Sequence, residues 1–147
     1  MSVVIDANVL AALALPLPYS EHAVRKVTAW KQVGVDLFAP SLLEYEVTTI
    51  IRKAVVAKLL SADDAVHALR KIFDLNVQSV APTVTQHEKA LQWAAKLGQK
   101  QAYDAQYLAL AQQMRINFWT ADKRLANNAQ QVGASWVRLI EQVDVEN

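Results

Sequence analysis

Short apolar runs alternate with longer helical segments along this chain, and no other feature restricts its fold as much. The first run, Ser2–Ile5, is rich in β-branched residues and ends at an aspartate. Continuous apolar runs of this length suit strands that are buried on both faces. Further strands are predicted at 37–39, 77–80, 117–120 and 135–139. The alternation predicts an α/β fold in which helices cover both faces of a parallel sheet.

The segments between these strands carry apolar residues at helical spacing and recognisable start signals. Ser20 can cap a helix, and Ser61 opens another with Asp64 three residues later. Thr85 and Glu88 have the spacing of a capping box, in which each side chain satisfies a backbone donor of the other. The predicted helices cover 7–15, 20–33, 41–59, 61–73, 85–98, 102–114 and 123–128.

Length and composition limit the class of protein. A chain of 147 residues suits one hydrophobic core, so we expect a single domain spanning 1–147. A hydrophobic fraction of 53% and a charged fraction of 20% exclude the composition of a disordered chain. No apolar stretch approaches the ~20 residues that cross a bilayer, and the N-terminus lacks the basic region of a secretory signal. We therefore expect a cytoplasmic protein without a membrane segment.

The types of metal site are also limited. The chain has no cysteine, and its three histidines are scattered without the spacing of zinc ligands. Any metal must therefore be held by oxygen. The net charge of +1 alone predicts no strong attraction to a polyanion. If several carboxylates bound metal ions, however, the other charged residues would carry a net positive charge.

Three aspartates occupy positions where this fold class places its sites. In an open parallel sheet, ligands bind beyond the carboxyl ends of the strands. Asp6 ends the first strand, Asp122 follows the fourth, and Asp104 falls in the first turn of a predicted helix. Each has a second explanation, because aspartate is a favoured N-cap and the helix dipole stabilises an acid in the first turn.

Two glutamates lie at the start of the predicted helix 41–59, and only one of them can face a site. Glu44 and Glu46 are separated by about 200° around the helix axis. Glu44 stands three residues after Ser41, which is the spacing of a capping box and gives it a local task. Glu46 has no such task and borders the apolar face, so it is the candidate.

A parallel sheet would bring these acids to one end, because all of its strands point in the same direction. Carboxylates that are crowded together raise one another's pKa, and a divalent cation relieves the repulsion. Oxygen donors without cysteine or clustered histidine favour Mg²⁺ or Mn²⁺.

Several segments of the chain carry motifs in a characteristic order. These are Val3–Leu10, Pro40–Leu42 with Glu46–Val47, Tyr103–Ala105 with Tyr107–Ala111, and Thr120–Asp122 with Leu125. In this order they resemble the motifs of PIN-domain ribonucleases, and within that family the VapC-type toxins of prokaryotic toxin–antitoxin modules. The resemblance extends from the first strand to the last.

The resemblance implies a three-layer α/β/α fold with a five-stranded parallel sheet. It also implies a Mg²⁺- or Mn²⁺-dependent endoribonuclease that leaves a 5′ phosphate and a 3′ hydroxyl. The family's acidic quartet, which holds one or two ions, corresponds to Asp6, Glu46, Asp104 and Asp122. Asn8 and Thr120 correspond to the polar residues that support these ligands or position a water. Some members carry a further acid after the last aspartate, whereas Lys123 and Arg124 follow it here, which makes a second metal position less certain.

Basic residues close in sequence to the proposed ligands are candidates for phosphate contacts. They are Lys100, Lys123 and Arg124, and ordinary surface solvation explains them equally well. Lys53 is a weaker candidate. The family likeness further implies RNA as substrate, a cognate antitoxin as protein partner, and a homodimer.

Two other classes of function stay open. A non-catalytic PIN-like interaction module would keep the fold and serve as a platform for a partner, and the complete acidic set argues against it. A phosphoryl-accepting receiver or phosphatase would phosphorylate the aspartate at a strand end. Asn8 stands where a haloacid-dehalogenase-like phosphatase would carry its second aspartate, which argues against that class. The four tryptophans are interpreted as core residues and not as stacking platforms for bases.

Overall fold

The structure, a computed structural model, describes residues 1–141, over which five strands alternate with seven helices. The strands are β1 (Ser2–Ile5), β2 (Asp36–Pro40), β3 (Gln78–Val80), β4 (Phe118–Thr120) and β5 (Val137–Leu139). The helices are α1 (Ala7–Ala11), α2 (Ser20–Gln32), α3 (Leu42–Val56), α4 (Ala62–Phe73), α5 (Val84–Leu97), α6 (Tyr103–Met114) and α7 (Lys123–Gln131).

The strands form one parallel sheet in the order β3-β2-β1-β4-β5. From β1 the chain builds outward through β2 to β3, then returns to place β4 on the other side of β1. The strand order therefore reverses between β1 and β4, which pair with Ile5 opposite Trp119. This reversal is the place where open α/β sheets bind ligands. The five-stranded parallel sheet is as predicted.

Helices cover the sheet to give the predicted three-layer α/β/α fold. Helix α6 packs against β1, β2 and β4, and α5 packs on α6. In a second group, α1 contacts β4, α3 contacts β2, and α4 packs on α3. Residues Val3, Val4 and Ile5 are all buried, as expected for a central strand that is covered on both faces. Within residues 1–141, no helix is both long and apolar enough to span a membrane.

The helix starts differ from the sequence prediction in two places. Thr83, not Thr85, caps α5, since its hydroxyl accepts a 3.1 Å hydrogen bond from the Gln86 amide. Ser20 lies inside α2 and is not its cap, because its hydroxyl bridges Leu15 and Leu17 of the preceding loop. The predicted cap of α4 is confirmed, since the Ser61 hydroxyl accepts a 3.0 Å hydrogen bond from Asp64.

Helix α3 begins directly after Ser41, as predicted, but it lacks the predicted capping box and ends earlier, at Val56. Ser41 has helical φ and ψ angles and its side chain makes no capping bond, so the capping box with Glu44 is wrong. The helix ends at Val56 because Lys58 adopts the left-handed conformation, with φ of 61°. The Leu59 amide then donates a 2.9 Å bond back to the Ala54 carbonyl, which closes the helix. Similarly, α1 ends at Ala11 and not at residue 15.

The tryptophans belong to the core, as predicted. Trp30, Trp93 and Trp119 are buried, and Trp136 is half-buried against the core. Trp30 meets Trp119 edge to face at 5.6 Å between ring centroids, and Trp93 meets Trp136 in the same way at 5.1 Å.

Candidate active site

Two of the predicted site residues follow the two central strands. Asp6 directly follows β1, and Asp122 stands two residues after the end of β4. The pairing of these strands continues to the site, because the Asp6 amide donates a 3.0 Å bond to the Trp119 carbonyl. Both aspartates thus lie at the reversal of strand order.

Thr120 links these two loops through its hydroxyl group. It donates a 2.7 Å hydrogen bond to Oδ2 of Asp6 and accepts one of 3.1 Å from the Asp122 amide. It also accepts a 3.3 Å bond from Nδ2 of Asn8, whose Oδ1 accepts a 3.1 Å bond from the Ala121 amide. A hydroxyl offers one donor and two acceptor sites, so Thr120 is fully used. Asn8 and Thr120 therefore hold Asp6 and the loop before Asp122.

Asp122 fulfils both roles considered for it from the sequence, as the cap of a helix and as a member of the acidic site. Its Oδ1 accepts a 3.0 Å hydrogen bond from the Leu125 amide, so it caps α7. It also lies close enough to Asp104 to raise the pKa of that carboxyl. Capping orients the carboxylate and does not remove it from the site.

Glu46 reaches the site from α3, and its position depends on a tyrosine of α6. The Tyr107 hydroxyl donates a 2.7 Å hydrogen bond to Oε1 of Glu46. The Tyr107 ring is only 1% exposed and stacks on Phe118 of β4, with 5.1 Å between centroids. Glu44 is exposed, as expected from its separation from Glu46 around the helix.

Asp104 lies in the first turn of α6, at one side of an open hollow of about 510 Å³. Gln99 donates a 3.1 Å hydrogen bond from Nε2 to Oδ2 of Asp104. Glu46 and Lys100 also line this hollow, which we call the acidic hollow. One oxygen of every predicted acid is thus held by a hydrogen bond.

The carboxylates are coupled electrostatically. Burial raises the pKa of Asp6 from 3.8 to about 7; the Thr120 hydrogen bond opposes the rise, and Asp104 and Glu46 add to it. Burial is also the main cause of the raised pKa of Glu46, to which Asp104 contributes. The pKa of Asp104 is raised by burial and then by Asp122. All four acids therefore belong to one electrostatic cluster.

Tyrosine hydroxyls border this cluster. Burial raises the pKa of Tyr19, and the charges of Asp6 and Asp122 raise it further. Burial likewise raises the pKa of Tyr107, with Asp6 and Glu46 adding to the effect. Both hydroxyls therefore stay protonated at neutral pH.

The donor chemistry of the cluster fits a hard divalent cation. All four ligand candidates are carboxylates, which Mg²⁺ and Mn²⁺ prefer. The ion pairs within residues 1–141 join Arg25 to Glu21 and Lys123 to Glu141, so none compensates these acids. Over the same residues, no three acidic or histidine side chains form a ready-made metal cluster. The residues therefore suit a divalent cation by the type of their donor atoms, and the carboxylate side chains must draw together to bind an ion.

The predicted phosphate contacts occupy different surroundings. Lys100 is exposed at the acidic hollow. Nζ of Lys123 lies 3.3 Å from Oε2 of Glu141, which partly neutralises it. Arg124 is exposed in the first turn of α7. Lys53 lines a second hollow that also contains Glu46.

Asn8 and Thr120 were predicted to support the acids, but the side chains that hold Glu46 and Asp104 were not. Tyr107 is three residues after Asp104 and so shares its face of α6, a spacing that pointed to it. Gln99 lies in the connection between α5 and α6, and nothing in the sequence singled it out.

Most of the chain matches the sequence profile of a known domain family. The profile of the PIN domain matches residues 3–131, which includes every predicted acid. The chain belongs to the PIN-domain family. This PIN domain is 33% identical to Ribonuclease VapC3 of Pyrobaculum aerophilum over 130 residues, covering 86% of this chain and 93% of that protein. The predicted resemblance to VapC-type PIN proteins is confirmed.

Solved structures share the fold of this PIN domain. VapC20 of Mycobacterium tuberculosis, a sarcin-ricin loop cleaving toxin, aligns with a TM-score of 0.63 and 18% identity, covering 82% of this chain and 90% of that one. VapBC2 of Rickettsia felis, solved with a DNA fragment from its promoter, aligns with a TM-score of 0.66 and 10% identity, covering 95% of this chain and 98% of that one.

Proposed function

We propose that this PIN domain is a Mg²⁺- or Mn²⁺-dependent endoribonuclease and the toxin of a toxin–antitoxin pair. The observation that carries the proposal is the coupling of four carboxylates at the reversal of strand order, without a basic partner among residues 1–141. The identity to a VapC ribonuclease supports RNA as the substrate.

The proposed ligands of one or two divalent ions are Asp6, Glu46, Asp104 and Asp122. A bound ion supplies charge neutralisation at the phosphodiester and a lowered pKa for an attacking water. The protein positions these ligands: Thr120 holds Asp6, Tyr107 holds Glu46, and Gln99 holds Asp104. These hydrogen bonds limit how far the three carboxylates must move when the acids draw together around an ion.

The surroundings of the acids suit a polyanionic substrate. Lys100 at the acidic hollow is the proposed contact for a phosphate beside the cleaved bond, with Arg124 further along α7. Lys123 is a lesser contributor because it is paired with Glu141. Asn8 supports the loop of Asp122 and is proposed to help position a water. Cleavage by water is expected to leave a 5′ phosphate and a 3′ hydroxyl.

The remaining proposals concern partners and location. VapBC2 of Rickettsia felis, which shares the fold, is a complex of a toxin with its antitoxin, and this supports an antitoxin as partner of the present chain. A homodimer and a cytoplasmic location follow from the family likeness and the sequence, and they stay predictions.

The deciding experiment compares RNA cleavage by the parent protein with Mg²⁺, Mn²⁺ or EDTA. The variants are Asp6→Asn, Glu46→Gln and Asp104→Asn, and Glu44→Gln is the matched control because it removes a nearby charge from an exposed position. We expect cation-dependent cleavage by the parent and by Glu44→Gln, and a loss of at least a hundredfold in the other variants. Equal cleavage by all proteins would contradict the proposal, and no cleavage by the parent would favour the non-catalytic module.

A further inference from the structure

Beside the acidic hollow lies a second hollow that shares Glu46 and Tyr103 with it. Its volume is about 510 Å³, within the roughly 300–1,000 Å³ typical of small-molecule sites. The other residues of its wall that matter here are Leu42, Tyr45, Thr49, Ile50 and Lys53. We call it the tyrosine hollow.

Two of the exposed aromatic rings of the molecule border this hollow. The exposed aromatic side chains among residues 1–141 are Tyr45, Phe73 and Tyr103, with 76%, 46% and 59% of their surface accessible. Phe73 lies elsewhere, in a small cavity against α1 and α3. Tyr45 and Tyr103 therefore leave large ring surfaces in water directly beside the proposed ligands Glu46 and Asp104. The core does not account for either ring.

We propose that the tyrosine hollow binds an unpaired nucleobase of the RNA, next to the phosphodiester at the acidic hollow, with Tyr45 and Tyr103 as stacking surfaces. This inference rests on the proposed function and adds to it a binding subsite for one base of the substrate. Aromatic rings bind bases by stacking only where the base is unpaired and accessible. The tyrosines are thus substrate-positioning residues.

The residues that line the tyrosine hollow can contact each part of a nucleotide. Leu42 and Ile50 offer apolar walls for the faces of a base, and Thr49 offers a hydroxyl for its edge. Lys53 on this side and Lys100 in the acidic hollow provide a cation on each side of Glu46. A backbone that crosses the acids would have a phosphate partner in each direction.

The charges favour RNA over a protein segment as the occupant. An apolar helix of a protein partner would have to bury Glu46 and Lys53, which are unpaired with each other among the described residues. A nucleotide places a base on the tyrosines and leaves its phosphates toward the lysines and toward cations at the acids. Each group then has a complementary partner.

The test measures binding of fluorescein-labelled oligoadenylate by anisotropy in the presence of Mg²⁺. Asp6→Asn serves as the background, so that RNA stays intact during titration. Tyr45→Ala and Tyr103→Ala in this background are each expected to weaken binding by roughly tenfold. Tyr45→Phe and Tyr103→Phe keep the ring and are expected to bind like the background protein.

Two controls separate stacking from a general loss of structure. Leu91→Ala removes an exposed apolar side chain of α5 and is expected to leave binding unchanged. An abasic oligonucleotide of the same length keeps the phosphates, so the alanine variants and the background are expected to bind it equally. The dependence of affinity on salt is also expected to stay the same, since no phosphate contact is lost.

Equal weakening with normal and abasic RNA would overturn the proposal, as would unchanged affinity in both alanine variants or no binding by the background protein. A loss of RNA affinity accompanied by a changed mass in light scattering would assign the hollow to contact between copies of the chain.

The outcome for base stacking can be separated from the outcome for the nuclease proposal. A parent that fails to cleave RNA while its tyrosines show base-dependent binding refutes the nuclease alone, and cleavage without tyrosine effects refutes the stacking alone.

Discussion

The hydroxyl group of Tyr107 donates a 2.7 Å hydrogen bond to Oε1 of Glu46, and this bond joins α6 to α3 beside the acidic cluster. The tyrosine ring is fixed by its stacking on Phe118, so the hydroxyl has little freedom to follow a displaced glutamate. The bond also lowers the pKa of Glu46, against the larger effect of burial. Tyr107 thereby holds this carboxylate in position and stabilises its ionised form.

Replacing Tyr107 with phenylalanine should therefore affect stability and activity together. A hydrogen bond to a charged group contributes about 1.5–3 kcal/mol, so Tyr107→Phe should lower the free energy of unfolding by about 2 kcal/mol at pH 8. Cleavage should fall about tenfold, with its pH profile displaced to higher pH because the pKa of Glu46 rises. Urea unfolding and a pH series of cleavage rates check these results. Tyr45→Phe loses an exposed hydroxyl and should match the parent in both.

Asp6 should make the protein less stable as the pH rises. Its pKa is 3.8 when unfolded and about 7 in the fold, so the folded state holds the proton more tightly. Stability should fall between these two values, by on the order of 4 kcal/mol from this group, and then level off. Asp6→Asn should raise the midpoint of thermal unfolding by several degrees at pH 8 and by little at pH 4, in EDTA. An equal gain at both pH values would contradict the raised pKa.

Divalent cations should stabilise the parent through the same cluster. A ligand that binds only the folded state raises its stability in proportion to RT ln(1 + [L]/Kd). Mn²⁺ at a hundred times its Kd should therefore add about 2.7 kcal/mol at pH 8. Thermal unfolding with and without Mn²⁺ measures this, with Glu44→Gln as the control that keeps the effect. Asp104→Asn and Glu46→Gln should reduce it, and an undiminished effect in both would place the ion elsewhere.

Thr120 should tolerate serine but not valine. The hydroxyl of this fully buried residue is bonded to Asp6, Asn8 and the Asp122 amide. Thr120→Val leaves these groups without their partner and should cost about 2–4 kcal/mol in chemical unfolding. Thr120→Ser keeps the hydroxyl and should lose less than half as much. If serine and valine destabilise equally, the methyl group and not the network is responsible.

The two lysines predicted as phosphate contacts should differ. Lys100 is exposed at the acidic hollow, whereas Lys123 is paired with Glu141. Lys100→Gln should weaken RNA binding and reduce the slope of log affinity against log salt by about one. Lys123→Gln should have the smaller effect on both. The reverse ranking, measured by anisotropy over a salt series, would move the path of the RNA toward α7.

The fold was predictable because its signals are local. The central strands β1 and β4 appear as short, buried apolar runs, and one parallel sheet accommodates all five strands, with the polar and more exposed β3 at its edge. Helix ends were harder, because a cap depends on the backbone around it. Thr83 and Thr85 are chemically the same, yet the extended backbone of Thr83 makes it the cap of α5.

The acids were predictable from their place at strand ends and helix starts, together with the family motifs. Thr120, which supports Asp6, was predicted with them, but the partners of Glu46 and Asp104 were not, since the Tyr107–Glu46 and Gln99–Asp104 bonds depend on how α3, α5 and α6 pack. The exposed tyrosines were also overlooked. Burial of the tryptophans was predictable from their spacing, whereas nothing in the spacing of Tyr45 and Tyr103 shows that their rings face water.

Asp6 and Thr120 are 114 positions apart in the chain and meet only when β4 inserts beside β1. A ribosome must therefore synthesise most of the polypeptide before the two can touch. Truncated products that stop before β4 lack Thr120 and Asp122 and cannot assemble the full set of acids. The proposed activity is thus absent from any copy whose synthesis stops before β4.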